Sequence, residues 1–239
     1  MRNANASKLR GALVGDSSRT RVALFGDSIT VGQFVPLHQT WPQRLSRMLA
    51  EASRQPGQPD WCVSVCAVNG RTSREALLDM PYHIQSQDID ILFIQFGLND
   101  CNKWPSDFGC PRVSVNSFRA NIEEMIDRAQ ASGIRATYIM TPHGTLRTQP
   151  WTHQPQSSLE TERQTYAQAI RSIKSSRTND ASLLLLDIET ELSIAGLSTS
   201  QTVLPLPDGL HLNYAGHNAY ASIVFDRLVS DRQVLSKSD

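Results

Sequence analysis

Hydrophobic positions along the chain follow two alternating patterns. Five short stretches are dense in Val, Ile, Leu and Phe with little polar alternation: "RVALFG" (21–26), "CVSVCAV" (62–68), "IDILFIQFG" (89–97), "IRATYIM" (134–140) and "SLLLLDI" (182–188). Unbroken apolar runs of this length read as strands buried on both faces. Between them the apolar positions recur at a spacing near 3.6. Val115, Phe118, Ile122, Met125, Ile126 and Ala129 share one stripe in 114–131. Leu159, Tyr166, Ile170 and Ile173 do so in 158–174, and Tyr220, Ile223, Val224 and Leu228 in 214–229. Such stripes are the core-facing sides of amphipathic helices. A further helix is expected over 41–53.

Alternating strands and helices predict an α/β fold, a parallel sheet covered by helices on both faces. Right-handed crossovers leave few topologies open. No internal repeat and no long low-complexity linker divides the chain. One domain is expected over 20–232, with a flexible segment at 1–19 and a tail at 233–239. The Pro-, Gly- and Asn-rich segments 98–113 and 142–157 each follow a strand. They therefore fall at the carboxyl edge of the sheet, where open α/β folds bind ligands. Residues 192–207 make a third long connection.

Length and charge narrow the function classes. A chain of 239 residues suits one large domain with a sizeable core. Its 23 basic and 23 acidic residues give zero net charge, so no concentrated basic face is expected for nucleic acid. The same neutrality provides no electrostatic steering of a charged substrate, and suits a monomer or a homodimer equally. No apolar run is long enough to span a bilayer, so no membrane partner is expected. The start, "MRNANASKLRGALVGDSS", lacks the apolar centre of a secretory signal. The cytoplasm is the expected compartment. Cys62 and Cys66 share one strand about 13 Å apart, too far for a disulfide, and are expected to be buried free thiols. Cys101 and Cys110 share a loop and either pair or stay free.

Gly-Asp-Ser occurs twice, at 15–17 and 26–28. Ser17 has no strand before it to fix its position. Ser28 directly follows "VALFG", at the carboxyl end of the first strand, where Gly26 permits a sharp turn. There it is either a nucleophile or part of an ordinary Gly-Asp-Ser turn. A serine hydroxyl needs a base, and the base is best held by a carboxylate. Of the six histidines, His211 lies in "LPDGLHLNYAGH" with Asp208 three residues before it. That spacing lets one turn aim both side chains at one point. His217, at helical spacing from Asn213, reads as structural. His38, His83, His143 and His153 read as solvated or structural, with His143, just past the fourth strand, also placed to line a cleft. Acyl transfer also needs donors for an oxyanion. Gly70 in "AVNGRTS" and Asn99 in "FGLNDC" follow the second and third strands, and are either such donors or turn residues.

The blocks "FGDSIT", "VNGRTS", "GLND" and "DGLH", in this order, resemble those of the SGNH hydrolases, also called GDSL esterases/lipases. The likeness runs from about residue 20 to 230. It implies a flavodoxin-like three-layer α/β/α sandwich with five parallel strands in the order 2-1-3-4-5. It also implies Ser28 as nucleophile, Asp208 and His211 completing a triad, and the Ser28 N–H, Gly70 N–H and Asn99 side chain as oxyanion donors. Asp27, His143 and Leu206 are candidate substrate-lining residues. Trp104, Phe108, Trp151 and Leu204–Leu206 either wall an acyl site or anchor loops. The implied activity is ester hydrolysis; with nothing in the sequence that indicates a wide lipid-binding surface, short acyl chains, acetyl above all, on small alcohols or carbohydrates are expected. The rivals are acyl transfer to an alcohol or sugar through the same triad, and a non-catalytic binding module on this fold. No nucleotide-binding glycine motif and no metal motif is present, so neither a cofactor nor a metal is expected.

Overall fold

The computed structural model describes residues 19–197 and 206–231. Ser17, Leu204, the tail at 233–239 and all but the last residue of the expected N-terminal segment lie outside the described residues. In chain order the elements of the main layers are β1 (Arg19–Gly26), α1 (Ser28–Val31), α2 (Trp41–Ala52), β2 (Asp60–Ala67), α3 (Ser73–Met80), β3 (Ile91–Gln95), α4 (Val115–Ala131) and β4 (Ala136–Met140). A small hairpin follows, β5 (Pro150–Trp151) with β6 (Gln154–Ser158), then α5 (Leu159–Ser176), β7 (Leu183–Leu186), α6 (Ile188–Ile194) and α7 (Tyr214–Ser230).

Five strands form one parallel sheet in the order β2-β1-β3-β4-β7. Counted along the sheet strands alone, this is the expected 2-1-3-4-5. The period-two geometry of β1 explains its unbroken apolar run. Val22 and Leu24 point into one core with α2 and α7, and Ala23 and Phe25 into a second with α4 and α5. Strands β3 and β4 are buried throughout, and Phe93 stacks on Tyr138 across them at 4.4 Å.

The edges depart from the expectation of strands buried on both faces. β2 has one neighbour, and its residues are half-buried or exposed, Val65 among the latter. Cys62 and Cys66 are accordingly half-buried rather than buried. All four cysteines are free, so Cys101, which is buried, and Cys110, which is exposed, do not pair. Three helices were not signalled by the apolar stripes: α1, α3 and α6. The segment 142–157 is not loop throughout, since it holds the β5–β6 hairpin. The connection expected over 192–207 begins inside α6. Among the described residues no helix is long and apolar enough to cross a membrane.

Candidate active site

The serine is placed by the junction of β1 and α1. A Cβ at Gly26 would fall 2.2 Å from Thr30 Oγ1, so only glycine lets the strand pass directly into the helix. Asp27 caps α1, its Oδ1 accepting from the Ile29 N–H at 3.0 Å. Gly32, at φ 79°, closes this single turn by donating to the Ser28 carbonyl at 3.0 Å. Ser28 therefore stands at the first helical position, with its own N–H outside the helix's hydrogen bonding.

Ser28 Oγ lies 2.9 Å from His211 Nε2, across 183 residues of chain. His211 Nδ1 lies 2.5 Å from Asp208 Oδ2. The other Asp208 oxygen accepts from the N–H groups of Leu210 and His211, at 3.0 and 3.1 Å. Burial alone would raise the Asp208 pKa. The Leu210 N–H, the His211 ring and the His211 N–H outweigh it and hold the carboxyl below its ordinary range. Arg147, which sequence reasoning passed over, braces this turn: its Nε donates to the Asp208 carbonyl at 2.7 Å and its Nη2 lies 3.5 Å from Oδ2. No signal in the local sequence links Arg147 to a loop some sixty residues later.

Asn99 and the Gly70 loop reach the same region. Asn99 Nδ2 donates to Asp27 Oδ2 and to the Arg71 carbonyl, both at 3.2 Å. The Val68 N–H donates to the Gly26 carbonyl at 3.2 Å, holding the loop after β2 beside the start of the serine turn. Gly70 adopts φ 75°, and its N–H has no acceptor among the described residues. Gly70 and Asn99 together line a cleft of about 620 Å³. Its other walls mix polar side chains, Asn69, Arg71, Asp79, Asn102 and Arg112 among them, with the apolar Val68, Leu78 and Trp104. Trp104, half exposed, stands at this cleft with the Arg112 guanidinium 4.7 Å over its ring. Trp151 instead packs against the core as a loop anchor, and Phe108 is exposed.

Two of the expected substrate-lining residues lie beneath the site. Asp27 is buried because both its oxygens are committed, one to the cap and one to Asn99. Its burial, with the nearby Asp100 charge, raises its pKa to about 7. Asp100 is itself buried, accepts from the Ser73 N–H and hydroxyl, and is pushed up by burial to about 6. His143 is fully buried too, and so does not face the cleft. Its Nε2 donates to the Leu210 carbonyl at 2.9 Å, and its Nδ1 lies 2.8 Å from the Tyr220 hydroxyl. Leu206 is half-buried and its carbonyl accepts from the Gly209 N–H at 3.0 Å, a turn-closing contact. His217 is structural as expected, its Nδ1 accepting from the Trp41 N–H at 3.2 Å. Among the described residues, no group of three or more His, Cys, Asp or Glu side chains is placed to share a metal ion.

Solved structures share this architecture. A lipase/acylhydrolase from Enterococcus faecalis superposes with a TM-score of 0.68 at 18% identity, covering 88% of this chain and 96% of its own. The acetyl xylan esterase AlAXEase gives 0.66 at 17% identity, over 87% and 99% of the two chains. The psychrotrophic esterase EstA from Pseudoalteromonas sp. gives 0.65 at 17% identity, over 90% and 99%. At these identities the likeness establishes the fold alone. No curated protein sequence matches this chain. The sequence profile of one family does match, from residue 24 to 219, a span that takes in the serine turn, the Gly70 and Asn99 loops and the Asp208–His211 turn. The chain belongs to the GDSL-like lipase/acylhydrolase family.

Proposed function

We propose that this protein is a serine esterase that hydrolyses short-chain carboxylic esters, acetyl esters above all, of small alcohols or carbohydrates through an acyl-enzyme. The observation that carries the reading is the continuous chain Ser28 Oγ–His211–Asp208, with contacts of 2.9 and 2.5 Å. His211 Nε2 accepts the serine proton as Oγ attacks the ester carbonyl, and Asp208 holds the ring and balances the imidazolium. The Ser28 and Gly70 N–H groups and the Asn99 amide receive the developing oxyanion, with the oxyanion taking over the Asn99 bond now made to the Arg71 carbonyl. His211 then returns the proton to the departing alcohol. Water, activated by the same imidazole, releases the acid and restores Ser28.

A short acyl group is favoured because Asn69, Arg71, Asp79, Asn102 and Arg112 stand among the walls of the cleft beside Gly70 and Asn99, and a long alkyl chain laid there would desolvate them. The likeness to an acetyl xylan esterase points the same way. The test is hydrolysis of p-nitrophenyl esters from acetate to palmitate by wild type and Ser28→Ala, with labelling by an active-serine phosphonate. Activity should fall steeply with chain length and vanish in the variant. Full activity in Ser28→Ala, or rates that rise toward palmitate, would overturn the reading.

A further inference from the structure

Phe34 stands out for two independent reasons. It is the third residue of the turn Gly32–Val35, which is closed by the Val35 N–H donating to the Gly32 carbonyl at 3.3 Å. Its φ is 74°, in the left-handed region that normally selects Gly or Asn at this position. A bulky side chain is strained there, and such strain collects where a site needs a particular side chain. The second reason is its place. Its ring meets the His211 imidazole edge to face, with centroids 5.0 Å apart, yet the residue stays 64% exposed. A large apolar side chain that is strained and solvent-facing contributes little to the core. It does border the imidazole that handles the proton.

The side of the site follows from the chemistry. The proton that His211 Nε2 takes from Ser28 must pass to the oxygen of the departing alcohol, so that alcohol sits against His211. The oxyanion donors Gly70 and Asn99 belong to the other loops, after β2 and β3. Building on the esterase reading above, we propose that Phe34 is a specificity-determining residue. Its exposed ring contacts the alcohol portion of the ester and selects alcohols that carry a ring. Strain on the backbone is kept because an aromatic wall beside His211 is needed there.

Benzyl acetate and methyl acetate test this cleanly. Both give the same acetyl-enzyme, so deacylation is common to them, and a difference in kcat/KM reports only how each alcohol is met up to acylation. Phe34→Ala and Phe34→Gly should lower kcat/KM for benzyl acetate by about 3- to 10-fold, the range of an aromatic contact. Methyl acetate should stay within about two-fold of wild type. Phe34→Tyr should keep the wild-type preference. Phe34→Gly, which relieves the φ strain, should melt no lower than wild type. An unchanged benzyl-to-methyl ratio in the Ala and Gly variants would overturn the proposal, as would equal losses on both esters. If wild type cleaves neither ester and Ser28 takes no phosphonate, it is the esterase reading that fails, and this inference falls with it.

Discussion

The Tyr220 hydroxyl donates to His143 Nδ1 at 2.8 Å, and the far side of that imidazole donates to the Leu210 carbonyl at 2.9 Å. The directions are fixed by chemistry. A carbonyl only accepts, so Nε2 carries the hydrogen. Burial lowers the ring's pKa to about 4, so Nδ1 is a bare acceptor at neutral pH. The Tyr220 oxygen in turn accepts from Gln95 Nε2 at 3.3 Å, and Gln95 Oε1 accepts from Thr30 Oγ1 at 2.8 Å. A buried chain thus runs from the turn that carries Ser28 to the residue before His211, beneath the contact those two side chains make.

Tyr220→Phe removes one oxygen and strands two groups, Gln95 Nε2 and His143 Nδ1, in a site without water contact. Unpaired buried polar groups of this kind cost about 1–3 kcal/mol. The variant should unfold at a lower urea concentration, with its unfolding free energy reduced by that amount. Assayed well below its melting temperature, it should show a lower kcat with KM little changed, because under the proposed esterase mechanism the chain positions the His211 loop and not the substrate. An unaltered unfolding midpoint would mean that these hydrogen bonds are not formed in solution.

Asp27 makes a pH-dependent contribution with an unusual sign. Its pKa in the folded protein, about 7, is above the ordinary 3.8, because of burial and of Asp100. The native state therefore holds a proton that the unfolded chain has released, over the window from about pH 4 to 7. That stability is fully present below the unfolded pKa and lost as pH rises through the folded one. Asp27→Asn is free of this titration. The unfolding free energy of the variant relative to wild type should shift in the variant's favour between pH 4 and pH 8, by an amount of order 1–4 kcal/mol. Activity should fall in the same variant, since one of the two oxygens that hold Ile29 and Asn99 becomes an amide. A stability difference that is constant with pH would contradict the burial of an ionising Asp27.

The sheet was legible in the sequence because a parallel sheet writes itself as dense runs of Val, Ile, Leu and Phe. What those runs do not report is the neighbour across the strand. "DWCVSVCA" reads as buried as "ILFIQ", yet only the latter has a strand on both sides. Helix α3 carried a signal that apolar periodicity does not detect: Thr72 and Glu75 form a reciprocal capping box, readable as T-x-x-E. The meeting of Ser28, His211 and Asp208 was legible from a serine at a strand end and a D-x-x-H turn. Asp27 and His143 were expected in the cleft, His143 because it comes just after the fourth strand. Only the contacts with Asn99, Leu210 and Tyr220, distant in sequence, place them below it. Phe34 left no trace, since a positive φ at a phenylalanine is a property of the fold around it.

Asn99 is the residue on which binding and chemistry can be separated. Its amide is already oriented, with Asp27 Oδ2 at 3.2 Å on one side and the Arg71 carbonyl at 3.2 Å on the other. In the proposed oxyanion role the Asp27 bond keeps the amide in place, and only the Arg71 bond is exchanged as negative charge develops on the substrate oxygen. The neutral ester carbonyl gains much less from it than the oxyanion does, so its removal acts on the transition state. Asn99→Ala should therefore lower kcat about 10²- to 10³-fold, with KM for p-nitrophenyl acetate nearly unchanged. The variant also leaves Asp27 Oδ2 without the Asn99 donor. Combining Asn99→Ala with Asp27→Asn should then cost less activity than the two single losses multiplied together, because the residues act through one shared contact. A change confined to KM in Asn99→Ala would remove the residue from the oxyanion role. Fully multiplicative losses would show that Asp27 does not act by holding it.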